Sequence, residues 1–190
     1  MPTRISETLY RITNGWAALI ALVVFVLFTA LVLPGQAQQA GQAEEGAADA
    51  GSPDLSLWYS PGELYRMAEA YGKEGRSAYI RARFTFDLAW PAVYGAFLVF
   101  TISWLYARAF PAGGAWRLAN LAPVLAVLFD LLENVSTSLV MLRYPDRTPV
   151  IATLAPAFTL VKWGLVGGSF VLLIVGAVIA IRSAMRKRGQ

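Results

Sequence analysis

The chain contains no cysteine and no histidine. The first absence excludes disulfides, thiol nucleophiles and the thiol-redox chemistry of small four-helix quinone oxidoreductases. The second removes imidazole haem ligation, His-containing zinc sites and His-based acid–base catalysis. Any reaction is left to carboxylates, Lys, Tyr and hydroxyls. Charge is scarce as well: 15% of the 190 residues are charged against 57% hydrophobic, far from the balance of an ordinary soluble domain. No metal, phosphate or dinucleotide motif occurs, and Gly113-Gly114 and Gly167-Gly168 lack the residues that surround a phosphate loop. No cofactor and no metal are expected.

Long apolar runs are what the chain has in quantity. A helix needs about 20 apolar residues to cross a bilayer, and four stretches reach that length, at about 14–34, 84–107, 117–142 and 152–181. The expected fold is all-α: an integral membrane bundle of four transmembrane helices, with a short amphipathic helix in the first outer loop and a single membrane domain over 1–190. The pI near 9.6 does not point to nucleic acid. Basic residues gather at the span ends, and Arg182, Arg186, Lys187 and Arg188 close the chain like cytoplasmic anchors.

Residues 16–33 run without a charge. That exceeds the 7–15 residues of a secretory signal core, so the stretch reads as a retained first span. Segment 36–53, built from Gln, Ala, Gly, Glu and Asp, has almost nothing to bury and reads as a flexible linker. Ser60-Pro61-Gly62-Glu63 then matches a capping box with proline at the first helical position, which predicts a helix over 61–71. Leu64, Tyr65, Met67, Ala68 and Tyr71 give it an apolar face, and Gly72 suits its C-terminal cap. With Leu57, Trp58 and Tyr59 just ahead, it reads first as an interfacial anchor. The sharper alternative is a lid over a site.

A further helix is expected from near Glu74 without a break to about Ala107. Asp87, Pro91, Tyr94, Leu98 and Thr101 form one stripe along it. Pro91 frees the backbone carbonyl of Asp87, which needs an internal partner in a membrane. Arg83, four residues before Asp87, suits an ion pair near the interface. On the last span Gly164-x-x-x-Gly168 has the small-residue spacing that lets helix backbones approach closely. With the N-terminus inside, segments 1–13, 107–117 and 182–190 hold eight basic residues and one acid, whereas 36–83 and 143–150 hold seven basics and eight acids. The bias places both termini in the cytoplasm of a cell-membrane protein.

The informative residues are the charges deep in apolar sequence. Asp130, Glu133 and Asn134 lie at i, i+3 and i+4 on the helix over 118–142, hence on one side of it. Lys162 is the other deep charge. At 1.5 Å per residue, Asp130 lies roughly 18 Å from one end of its span and Lys162 roughly 12–18 Å from the end of the next, which places them level in antiparallel neighbours. A lone charge at the bilayer centre costs about 2.5–3.5 kcal/mol, so these groups are expected to meet inside the bundle. One lysine facing two acids leaves a surplus acid, to be met by a proton, Asn134, Tyr94, water or a ligand cation.

The expected binding residues are Asp87, Trp90, Tyr94, Asp130, Glu133, Asn134, Lys162 and Trp163. Three functions fit. In the first, a small molecule or ion binds within the bundle of a transporter- or receptor-like protein. In the second, a structural or accessory subunit uses the charges only to fix helix packing. The third is a lipid-modifying enzyme with Asp130 and Glu133 as acid and base and Lys162 as stabiliser. The chemistry leans away from an enzyme. Expected partners are the lipid bilayer, a small-molecule or lipid ligand and a larger membrane assembly, with no nucleic acid.

Overall fold

A computed structural model describes residues 2–35, 51–53 and 56–188. The described residues are 86% helix, with no strand among them. Its elements are α1 (Pro2–Ile12), α2 (Gly15–Leu31), α3 (Pro61–Ala70), α4 (Gly72–Arg83), α5 (Phe86–Ala109), a 3-10 helix (Ala115–Leu121), α6 (Ala122–Arg143) and α7 (Pro149–Arg188). Four segments are long and apolar enough to cross a membrane: Gly15–Gly35, Gly72–Ala109, Ala115–Arg143 and Pro149–Ser183. They are compatible with a multi-pass membrane protein. Most of the 36–53 linker lies outside the described residues.

Local chemistry explains where the helices begin. The capping box of α3 is present, with Ser60 Oγ accepting from the Glu63 amide and Glu63 accepting from the Ser60 amide. Those bonds hold the Glu63 carboxyl below its usual range. Gly72, at φ +60°, takes the left-handed turn that ends α3.

Three boundaries differ from expectation. The helix expected to run unbroken from Glu74 stops at Arg83 and restarts at Phe86. Thr85 donates its hydroxyl to the Arg81 carbonyl at 2.8 Å while its amide bonds Ala82, which tightens the junction. Residues 115–121 form a 3-10 turn because Pro123 has no amide to donate and suits only a helix's first turn. The last helix starts at Pro149 because proline there occupies the first helical position. One element went unanticipated: Pro2–Ile12 forms a helix, α1, within the segment read as a short polar lead.

The chain divides into two compact units, 1–28 with 93–126 and 164–190, and 29–92 with 127–163. Within the first, Phe25 stacks on Phe97 with centroids 4.5 Å apart. Arg117 caps the end of α5, donating to the carbonyls of Ala107 and Phe110. Ser6 donates to Asn120 Oδ1 at 2.7 Å, and Asn120 donates in turn to Ser103. Tyr10 donates to the Arg117 carbonyl at 2.9 Å, so α1 is held to the 3-10 helix.

The small-residue motif at Gly164 and Gly168 is not where helices close up. Both glycines are exposed, and a Cβ on either meets no atom within 4 Å. Gly176 makes the close approach instead. A Cβ there would fall 2.6 Å from the Tyr106 ring, whose hydroxyl donates to the Leu172 carbonyl one turn earlier.

In the second unit Leu64, Met67 and Ala68 of α3 are buried with Tyr59, Tyr79, Val140, Met141, Ala152 and Ala155. The apolar face of α3 therefore packs on protein, correcting the anchor reading. Leu57 and Trp58 ahead of it are exposed.

Gly176→Ala should lower stability by about 1–3 kcal/mol through overpacking, whereas Gly164→Ala and Gly168→Ala should leave it unchanged; thermal unfolding in detergent compares the three. Burial raises the Tyr10 pKa from 10.0 to about 12 against the opposing pull of Arg117. Its docking contribution is therefore complete below pH 10 and lost as pH rises toward 12. A spin label on Thr8→Cys should gain mobility across that window, and Tyr10→Phe should abolish the pH dependence.

Candidate functional site

Residues 130–137 of α6 place Asp130, Glu133, Asn134 and Thr137 on one side of a helix that is otherwise largely apolar, and all four are buried. Thr137 donates its hydroxyl to the Glu133 carbonyl at 2.9 Å, which keeps that polar group within the helix. From α7 come Thr159 and Lys162, one turn apart and both buried.

Lys162 forms a buried salt bridge with Glu133. Its Nζ also lies 4.0 Å from Asp130 Oδ1. The two acids are held differently: the Glu133 side chain is 0% exposed and that of Asp130 is 12% exposed. Glu133 Oε1 accepts a 2.6 Å hydrogen bond from Thr159, and Oε2 faces the ammonium. Both carboxylate oxygens are thus engaged. Thr159 Oγ1 also lies 3.2 Å from the Tyr59 hydroxyl. A threonine hydroxyl has one proton, and the carboxylate is its stronger acceptor, so Tyr59 is the donor in that pair. A polar chain therefore runs from Tyr59, just ahead of α3, through Thr159 to Glu133, Lys162 and Asp130.

A second polar contact answers the constraint set by Pro91. Proline offers no amide to the carbonyl four residues back, and that carbonyl, of Asp87, accepts from Asn134 Nδ2 at 3.3 Å. The Asp87 carboxylate pairs with Arg83 at 2.8 Å, with side chains 17% and 13% exposed. That pair is more enclosed than an interfacial bridge, and Arg83 also lies over the Tyr79 ring.

The structure thus brings Asp130, Glu133 and Lys162 together and joins Asn134 to the backbone of Asp87. The Trp163 ring centroid is 5.2 Å from Lys162 Nζ, but the residue is 40% exposed and flanks the charges rather than enclosing them. Trp90 is half-buried. Tyr94 is buried and belongs to the first unit.

No family model, curated protein or solved structure matches the chain. Chemistry must therefore be read from the geometry alone. Glu133, with both carboxylate oxygens engaged and no exposed surface, is a poor general base. No grouping of acids suited to a metal occurs among the described residues. Cavities of about 290 Å³, between α1 and residues 112–118, and about 200 Å³, between α3 and residues 144–147, open elsewhere, and neither is lined by the charge cluster.

Sequence reasoning missed Tyr59 as a partner, treating it only as an aromatic ahead of α3. One signal pointed inward. Tyr59 precedes the N-cap and Leu64 is the fourth helical residue, the two positions of a hydrophobic staple, and both are in the core.

Asn134→Leu should lower stability by about 1–3 kcal/mol by leaving the Asp87 carbonyl without a donor. Pro91→Ala restores an amide at that point, so the double variant should lose distinctly less than Asn134→Leu does alone. Equilibrium unfolding of the four proteins measures the coupling.

Proposed function

We propose that this multi-pass membrane protein binds a small cationic ligand or ion at its buried carboxylates, in a transporter- or receptor-like role. The observation that supports the reading is the imbalance at Lys162, where two carboxylates share one ammonium. Glu133 is fully enclosed and engaged by Lys162 and Thr159. Asp130 lies farther from Lys162 and keeps some exposed surface. A cation at Asp130 balances the charge without disturbing the Glu133–Lys162 pair. Ionisable groups in membrane segments are functional sites by default because their desolvation is costly. The chain Tyr59–Thr159–Glu133 links the segment before α3 to the charges, which suits the lid role for α3.

A structural role as an accessory subunit is the second reading. It draws on the enclosure of Glu133, since polar groups satisfied within the protein set helix register.

Lys162→Met strands two acids and should destabilise the protein by about 3–5 kcal/mol. Replacing Asp130, Glu133 and Lys162 together by Asn, Gln and Met should recover most of that loss. Mass spectrometry of the intact purified protein then separates the two readings. Ligand binding predicts that wild type carries a cationic small molecule which the stable Asp130→Asn variant has lost. A wild type with nothing bound, and an Asp130→Asn variant that loses stability, assigns the cluster to helix register.

A further inference from the structure

Helix α1 is docked by the wrong face for a soluble protein. Ser6 and Tyr10, its polar side, bond the 3-10 helix, and Ser6 is 2% exposed. Ile5, Leu9 and Ile12 recur at i, i+4 and i+7, which makes one apolar stripe. Ile5 and Ile12 of that stripe are 54% and 55% exposed. A helix whose surroundings are water turns such a stripe inward. Arg4 and Arg11 are exposed on the same helix. Trp16, 74% exposed, lies in the first turn of the adjoining apolar helix α2, part of a candidate membrane span. Exposed Trp116 adds an interfacial aromatic in the same unit.

Charge identifies what covers the stripe. The unit holding α1 contains eight Lys or Arg and one acid, Glu7, whereas the other holds eight basic residues and eleven acids. The protein's net charge of +4 is therefore +7 in one unit and −3 in the other. We propose that α1 is an interfacial helix that binds an anionic lipid surface, with Ile5, Leu9 and Ile12 among the upper acyl chains and Arg4 and Arg11 at the phosphates. Apolar burial combined with basic side chains is the chemistry of such helices, and basic residues beside a membrane favour anionic over zwitterionic headgroups. A protein partner would have to supply both an apolar groove and acidic residues, which lipid supplies on the same bilayer. The inference is independent of the carboxylate cluster.

The chain has no cysteine, so single nitroxide labels report α1 in the full-length protein without background. Ile5→Cys and Ile12→Cys are labelled separately in nanodiscs of phosphatidylcholine alone and of phosphatidylcholine with phosphatidylglycerol. The expected result is access to oxygen and protection from a water-soluble nickel chelate at both positions, with protection increasing when phosphatidylglycerol is present. Arg4→Gln with Arg11→Gln should abolish that lipid-dependent increase while the helix stays docked. Labels open to the nickel chelate in both lipids would overturn the proposal. So would labels shielded from oxygen and nickel alike, which means protein covers the stripe. Protection indifferent to phosphatidylglycerol would overturn the anionic-lipid assignment.

Discussion

An ammonium held between two carboxylates inside apolar helices is the interaction that constrains the second unit. Isolated, each charge would be costly away from water. Brought together, Lys162, Glu133 and Asp130 fix which side of α6 faces which side of α7, because a rotation of either helix parts the charges. The contribution is better seen as specification than as net stability, since desolvation offsets much of the attraction in a buried pair. Thr159 follows from the same constraint. It lies one turn before Lys162 and supplies the hydrogen bond that Glu133 needs once water is excluded.

Backbone groups obey the same rule. A carbonyl without an amide donor must find another partner when water is absent. Asn134 serves the carbonyl that Pro91 leaves open at Asp87, and Arg117 serves the last carbonyls of α5. Polar side chains in this chain thus work locally at the points where a helix is interrupted or ends. Helix α1 shows the converse: Ser6 and Tyr10 are held by the protein, while Ile5 and Ile12 of its apolar stripe are left outward.

These constraints account for the geometry of the charge cluster. Glu133 is engaged on both oxygens, and the chain from Tyr59 through Thr159 fixes its position. Asp130 lies 4.0 Å from the ammonium and is the more exposed of the two acids. The proposed cationic ligand and the register-setting role both start from that geometry, and they differ in whether a group from outside the chain joins it.

Much of the architecture was legible without coordinates, because bilayer-length apolar runs, the capping box at Ser60 and the proline at 91 are local signals with local causes. The meeting of Lys162 with Asp130 and Glu133 was also legible, since a fixed rise per residue puts them at one depth and the cost of a lone charge demands a partner. Other features required the fold. Tyr59 and Thr159 lie 100 residues apart, and no periodicity links a residue ahead of one helix to the face of another. Gly176 rather than Gly164 or Gly168 makes the close helix contact, because spacing shows where backbones can approach but not which neighbour carries the aromatic ring that fills the gap. Helix α1 was missed because its pattern puts apolar residues on the face the protein leaves bare. Local sequence thus determined where the long apolar helices lie and which charges need partners. Tertiary packing decided the identity of the partners, because that depends on helix rotation, which no single segment fixes alone.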